Sequence, residues 1–268
     1  MGRLNHRTDQ DGSLLDHRIP RPDGVRSIQR ALDVLALLDE HHTTRTLREI
    51  VAGTGLPKTT AVRLLATLES RGLVARVAET TYTCGPAWLR WVRLADRLWD
   101  VSPEARAAMR ELVERCGETV NVYVRQAVQR VSIAQEEGTA TVRSMVAVGE
   151  PMPLGRGATA KVLLSGAPDD LVGTLAGADP DLDAGTLARQ VASIRETGYA
   201  VSHGERELGA SAVAAPLHGE DGRVIAALSV SGPTSRFTAE RIPGYVEAVV
   251  ATARRLDEVG LGAVEALL

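Results

Sequence analysis

Between Lys58 and Arg71 the chain sets Lys58, Thr59, Thr60, Arg63, Thr67 and Arg71 around one side of a segment whose other side carries Val62, Leu65 and Leu68. Apolar residues at three- and four-residue intervals mark an amphipathic helix. The polar side has a definite chemistry. Ammonium and guanidinium groups neutralise phosphates, the guanidinium fork matches the acceptor edge of guanine, and small hydroxyls bond phosphates or bases. That face suits a helix laid against double-stranded DNA. A merely solvated face is the plain alternative, and the flanking sequence has to decide between them.

Three other stretches approach catalytic motifs and fall short. Gly209-Ala210-Ser211-Ala212-Val213 has valine where a nucleophile elbow needs its last glycine, and it leads into a strand rather than a strand-to-helix turn. Gly155 to Val162 resembles a phosphate-binding loop, but Ala160 replaces the second glycine and Val162 the hydroxyl that would hold magnesium. Glu136 and Glu137 are neighbours on a strand, so their carboxylates point to opposite faces and read as surface charge. The six histidines and two cysteines show no metal-ligand spacing, and His41-His42 lie in a polar stretch. The expectation is a protein that is not an enzyme and needs no metal or cofactor.

The surrounding elements position the polar helix. Upstream, Leu47, Ile50 and Val51 share one helical face, Gly53-Thr54-Gly55 breaks that helix, and Pro57 sits where a first turn has no N–H to lose. Gly72 closes the second helix as a C′ glycine. Leu73 to Val77 and Tyr82 to Gly85 alternate about the polar tip Ala78 to Thr81, which predicts a hairpin. A hairpin directly after a recognition-type helix is a wing, with Arg76 placed to touch the DNA backbone. The flanks thus favour a winged helix-turn-helix. Ser27 is the expected cap of a first helix, Ile28 to Glu40, with Ala31, Leu32, Leu35 and Leu38 buried, and His41 to Thr46 is a polar loop.

From Pro86 to Val101 the pattern changes. Trp88, Val92, Ala95 and Trp99 fall at spacings of four, three and four, a heptad-like seam that predicts a linker helix used for dimerisation. All three tryptophans of the chain lie here. Ser102-Pro103 starts another helix to Cys116-Gly117. Strands are expected around Val120–Val124, Val131–Ala134 and Val142–Val148, with Gly138 in a turn and a Gly/Pro loop over Pro151–Gly157. Helices follow at Ala158–Ser165, Asp169–Ala176 and Ala184–Glu196, then strands at Tyr199–Ser202, Ser211–Leu217 and Val224–Val230. The last two strands turn at Glu220-Asp221-Gly222. The closing helix, Ala239–Val259, turns Val246, Val249, Val250 and Leu256 inward. The fold class is α+β: an antiparallel sheet with helices on its faces behind a small DNA-binding unit.

With 268 residues there is material for two domains. A net charge of −3 gives no global basic signature, so any DNA contact must be local. Over Val25–Gly85 eight basic residues stand against six acidic ones, which permits such a patch. Met1 to Gly24 lacks apolar period and reads as a disordered tail whose Arg3, Arg7, Arg18 and Arg21 are offset by acids. No leader and no apolar run of about 18 residues is present, so the expected location is the cytoplasm, with reduced thiols at Cys84 and Cys116 and no membrane partner.

The order of these parts resembles the IclR (isocitrate lyase regulator) family of bacterial transcription regulators. The resemblance spans Val25 to Gly260. It is carried by SIQRALDVLALL, LREIVAGTGLPKTTAVRLLATLESRGLV, Gly157-Ala158-Thr159-Ala160-Lys161, GYAVSHGERELGASAVAAPL and VIAALSVSGPTSRF. It implies a winged helix-turn-helix over 25–85, a linker helix over 86–101 and a GAF-like effector-binding domain over 102–268. It also implies a dimer, often paired into a tetramer, on a palindromic operator. Carried over by motif, the effector pocket is walled by Gly155, Gly157 and Ala158, then Ser202, Ala212, Ser229 and Ser231. The residue chemistry agrees: glycines at a helix start leave N–H groups for a carboxylate, and Ser229 and Ser231 share one strand face. Two departures matter, Ser202 where many relatives have an acid and Ala212 where many have cysteine, so no known effector transfers. The expected effector is a small carboxylate, with Met145 and Met152 as adaptable apolar wall or core filling. The rival readings are a binding or metabolic protein whose N-terminal helices serve only assembly, and an architectural DNA binder with a ligand-free sensor.

Overall fold

The computed structural model describes residues 24–268. The tail expectation and its arginines fall outside that range, apart from Gly24. The N-terminal unit holds three helices, α1 (Arg26–Leu35), α2 (Leu47–Thr54) and α3 (Lys58–Ser70), and three strands, β1 (Thr44–Thr46), β2 (Val74–Ala78) and β3 (Thr81–Cys84). The strands form an antiparallel sheet in the order β1-β3-β2. Val34, Ile50, Leu56, Ala61, Leu65, Leu68, Val74 and Tyr82 form its core.

Several expectations change here. α1 ends at Leu35 rather than Glu40, because Asp39 captures the backbone N–H groups of His41 and His42 and turns the chain. Ser27 does not cap it; Val25 precedes the helix without a side-chain bond. Its buried residue is Val34, whereas Leu32 faces out with Val25 and Ile28. The loop expected over 41–46 contains β1, which pairs with β3 and completes the sheet. On α3 the inward residues are Ala61, Leu65 and Leu68, and Val62 is exposed.

Helix α4 (Trp88–Trp99) leaves the wing with no buried residue along its length. Beyond it lie α5 (Pro103–Cys116), β4 (Thr119–Gln126), β5 (Gln129–Glu136), β6 (Pro151–Pro153), α6 (Ala158–Ser165), α7 (Asp170–Ala178), α8 (Ala184–Thr197), β7 (Ala200–His203), β8 (Ala210–His218), β9 (Val224–Pro233) and α9 (Ile242–Val259). The six strands make one antiparallel sheet, β6-β5-β4-β9-β8-β7. Strand alternation gives the sheet two unlike faces. Val120, Val122, Val124, Val213, Leu228 and Val230 pack under α5 and α9. The opposite face carries Asn121, Tyr123, Ala212, Ser229 and Ser231, and α6, backed by α8, covers part of it. The strand expected over Val142–Val148 is irregular coil, and the third strand is the short β6 within the expected Gly/Pro loop. In that coil Val142, Met145 and Val148 are exposed, whereas Met152 is buried in the core.

Candidate functional site

Helix α2 starts on a capping box: Thr46 accepts from the Glu49 N–H, and the Glu49 carboxylate accepts from the Thr46 N–H at 2.7 Å. The Thr-x-x-Glu spacing that signals it is legible in the sequence. Gly55, at φ 65°, makes the turn into α3. At the far end Gly72 (φ 68°) donates to the Glu69 carbonyl and Leu73 to the Leu68 carbonyl, a Schellman closure that aims the chain straight into β2. Gly85 then seals the wing against this turn. A Cβ there would lie 2.0 Å from the Gly72 carbonyl oxygen, so only glycine fits.

The outward face of α3 displays Lys58, Thr59, Arg63 and Thr67, all exposed, with Thr60 half-buried at the edge. Val62 and Ala66 lie on the same exposed side, an apolar element suited to a thymine methyl and missed because Val62 was placed in the core. The Thr67 hydroxyl donates to the Arg63 carbonyl at 3.0 Å, which leaves it an acceptor while that bond lasts. Arg71 is exposed just past the helix. Arg76 is less free than expected: it pairs with Glu69 of α3 at 3.4 Å and lies 5.4 Å over the Tyr82 ring, bracing the wing on the helix. The tip itself carries Glu79.

The second site lies on the polar face of the large sheet. Gly157, Ala158, Ser202, Ala212, Ser229 and Ser231 line one cavity, of about 40 Å³. Gly155 is not among its walls; it packs against Leu182, whose methyl would meet a Cβ there at 2.8 Å. The amide cradle at the start of α6 is already occupied by the protein. Gly157 N–H donates to Glu205 Oε2 at 3.1 Å, and Ala158 N–H donates to Ser202 Oγ at 3.0 Å. Lys161, whose side chain is 6% exposed, donates to Glu205 Oε1 at 2.6 Å. By contrast the Ser229 and Ser231 hydroxyls are buried with no hydrogen-bond partner in the protein.

The cavity also contains residues that sequence reasoning passed over: Tyr123, Arg130 and Arg206. Arg130 is 2% exposed, and burial lowers its pKa to about 10. Burial likewise pushes the Tyr123 phenol up to about 12, so it stays protonated and can donate. A β-bulge explains why Arg130 reaches this face. β4 and β5 lose register between Val122 and Tyr123, where Ala134 and Ser132 are the successive partners. The extra residue, Ile133, inverts the alternation downstream and swings Arg130 and Ser132 to the polar side. The elbow-like Ser211 sits at the start of β8, with its hydroxyl held by His203 Nδ1 at 3.0 Å and Thr234 at 2.8 Å, a cross-strand clasp. Glu136 and Glu137 do diverge, toward Arg106 and Arg143 respectively.

Comparison with known proteins bears on both sites. Residues 27–78 match the IclR helix-turn-helix domain, and residues 96–258 match the bacterial transcriptional regulator IclR C-terminal domain. The chain belongs to the IclR family of bacterial transcription regulators. It is 33% identical over 218 residues to the HTH-type transcriptional regulator KipR of Bacillus subtilis, covering 78% of this chain and 87% of that one. A solved IclR-family transcriptional regulator from Rhodococcus sp. is 45% identical, with 92% and 98% of the two chains covered and a TM-score of 0.61. An IclR homolog from Microbacterium hydrocarbonoxydans, solved in complex with 4-hydroxybenzoate, shares the fold at 20% identity, a TM-score of 0.71 and coverage of 90% and 99%. These relatives are transcription regulators rather than enzymes. Among the described residues no helix is long and apolar enough to cross a membrane.

Proposed function

We propose that this IclR-family regulator binds a palindromic operator as a dimer, or as a pair of dimers, and releases or reorients on it when a small carboxylate enters the cavity of its C-terminal sheet. It acts in the cytoplasm, as a winged helix-turn-helix over 25–85, a linker helix over 86–101 and an effector domain over 102–268. The exposed face of α3 carries the reading. Lys58, Thr59, Thr60, Arg63 and Thr67 approach the major groove, with Val62 against a base methyl and Arg76 at the backbone.

A dimer supplies two recognition helices for two half-sites. Helix α4 favours one, because Leu89, Trp91, Val92, Leu94, Leu98 and Trp99 are all exposed along it. The seam Trp88, Val92, Ala95 and Trp99 is shared work. The Trp88 indole N–H donates to the Leu73 carbonyl at 2.8 Å and fastens α4 to the wing, and Val92, Ala95 and Trp99 border a cavity against the chain's own sheet, so exposed Trp91, Leu94 and Leu98 share the pairing surface with them. The carboxylate effector has independent support in the homolog solved with 4-hydroxybenzoate.

The test is binding of the full chain to its gene's own upstream region, titrated with salt and scrambled competitor. Saturable, competitor-resistant binding that weakens steeply with salt is expected. Equal affinity for scrambled DNA, with other promoter fragments failing too, would favour the rival in which the N-terminal helices serve assembly alone.

A further inference from the structure

The proposed effector site leaves open which group receives the carboxylate, since the helix start suggested by sequence is filled by Glu205 and Ser202. Buried cations are ordinarily paired, because an isolated charge in a low-dielectric interior is costly. Arg130 breaks that rule. Its two hydrogen bonds, to the Pro153 and Arg156 carbonyls, both leave from Nη1. Its Nε is buried without a partner. The charged or titratable side chains that act on it are Tyr123 and Arg206, and Arg206 repels it. The side-on edge formed by Nε and Nη2, the edge that fits a carboxylate with two parallel bonds, is therefore not spoken for.

The same cavity holds two more groups in want of a partner, the Ser229 and Ser231 hydroxyls, both buried. Asn121 Oδ1, opposite Ser229 on β4 and outside the cavity lining, also lacks a partner. A cation and two hydroxyls left unsatisfied on one sheet face define a polar ligand with an anionic end. Arg206 stands at the rim, its guanidinium 3.5 Å from Met152 Sδ and paired outward with the exposed Glu207.

Resting on the effector-binding reading above, we propose that Arg130 is the anion receptor of the cavity, taking the carboxylate of a small organic acid on its Nε–Nη2 edge while Ser229 and Ser231 bind a second oxygen of the same molecule. Arg206 adds a second positive charge at the mouth. The ligand class that a cavity of about 40 Å³ admits is a compact hydroxy or keto acid, and its neutral amide is excluded.

The experiment titrates the full chain with 4-hydroxybenzoate, lactate and inorganic phosphate, and with 4-hydroxybenzamide and lactamide as neutral counterparts, by calorimetry and thermal shift. At least one acid binds and its amide is weaker by about tenfold or more. Arg130→Gln loses about 10- to 100-fold in acid affinity, the range for removing a charged hydrogen-bond partner. Arg130→Lys, which keeps a donor for the Pro153 and Arg156 carbonyls, falls between; Ser229→Ala, which removes a hydroxyl without a partner, also weakens the acid. These two keep the test valid if Arg130→Gln fails to fold. Equal binding of acid and amide, unchanged affinity in Arg130→Lys and Arg130→Gln, or no binding of any carboxylate overturns the proposal. Binding of phosphate alone overturns its carboxylate half and reassigns the receptor to phosphorylated ligands. DNA binding by the wild-type preparation is measured alongside. Its absence counts against the regulator reading, whereas normal DNA binding with acid affinity indifferent to Arg130 counts against this inference alone.

Discussion

Replacing Glu205 by alanine probes how the segment between β7 and β8 is held over the cavity. In the native chain one Glu205 oxygen accepts from Lys161 Nζ at 2.6 Å and the other from the Gly157 N–H at 3.1 Å. Alanine strands an ammonium whose side chain is 6% exposed and an amide at a helix start. Removing one partner of a fully buried pair costs about 3–5 kcal/mol. The Glu205 side chain keeps 31% of its surface exposed, so water screens part of that loss, and about 2–3 kcal/mol is the expected cost. For a unit of this size each kcal/mol moves the midpoint by about 2–4 °C, which gives a drop of roughly 4–12 °C in the melting of the C-terminal unit. Glu205→Gln keeps an acceptor and loses less. The double variant Lys161→Met with Glu205→Leu removes both charges and recovers the part of the loss that belongs to the stranded ammonium, while the Gly157 N–H stays unpaired. Calorimetric melts at pH 7 in low and in about 1 M salt provide the assay, with little salt effect expected for a pair this buried. A Glu205→Ala midpoint within about 1 °C of wild type, or a double variant as damaged as the sum of the singles, would refute the reasoning.

Arg63→Ala should cost on the order of 1–3 kcal/mol in operator affinity and relax base preference, read by competition binding on substituted operators; unchanged affinity removes it from the contact surface. Gly85→Ala should push the wing off the end of α3, because its methyl meets the Gly72 carbonyl at 2.0 Å, and should raise hydrogen exchange across residues 26–84. Unaltered exchange would contradict that. Of the two cysteines, exposed Cys84 should react quickly with a thiol reagent at pH 8, and buried Cys116 only on unfolding. Burial raises the Cys116 pKa from 9.0 to about 11, so its share of stability is present below pH 9 and lost as pH rises toward 11. Denaturant midpoints at pH 8 and 10.5 for wild type and Cys116→Ala, which lacks that titration, measure this share.

The legible parts of the chain were those specified by local rules. Gly72 and Gly198 end helices in the left-handed region as their positions require, and the strands around Asp221-Gly222 follow their alternation. What escaped depended on partners distant in sequence. β1 is three residues of polar loop until β3 pairs with it. Val62 has the right spacing for the core, yet Ala61 takes that place, fully buried while Val62 is exposed. Arg130 escaped because a period-two reading of β5 cannot see a bulge, which is defined by the partner strand. The helix start at α6 is where the glycines suggest, but its Gly157 amide is taken by Glu205, 48 residues on, a partner that local spacing does not reveal.

The linker ties these two sites together in a particular way. At its start Ala87 N–H donates to the Gly72 carbonyl and the Trp88 indole to the Leu73 carbonyl, which binds α4 to the turn behind the recognition helix. At its end Val101 is buried in the large core with Leu261 and Val264, and Ser102 N–H donates to the Leu261 carbonyl at 2.8 Å. Asp100 adds an ion pair to Arg106, which reaches on to Glu136 at the far end of the strand that carries Arg130. Asp100 and Arg106 are both substantially exposed, so this pair is worth no more than about 1 kcal/mol. The buried apolar anchor is the stronger attachment. Between its two clamps no residue of α4 is fully buried, though Val92, Ala95 and Trp99 border a cavity against β4, β5 and the chain's last residues. A helix gripped at both ends and only partly covered between them is suited to carry a tilt, and a coupling of about 1–3 kcal/mol between the proposed sites needs only a modest bias in that tilt. In the proposed dimer, the exposed apolar surface of α4 is then where the second subunit would set the two tilts between which a bound effector selects.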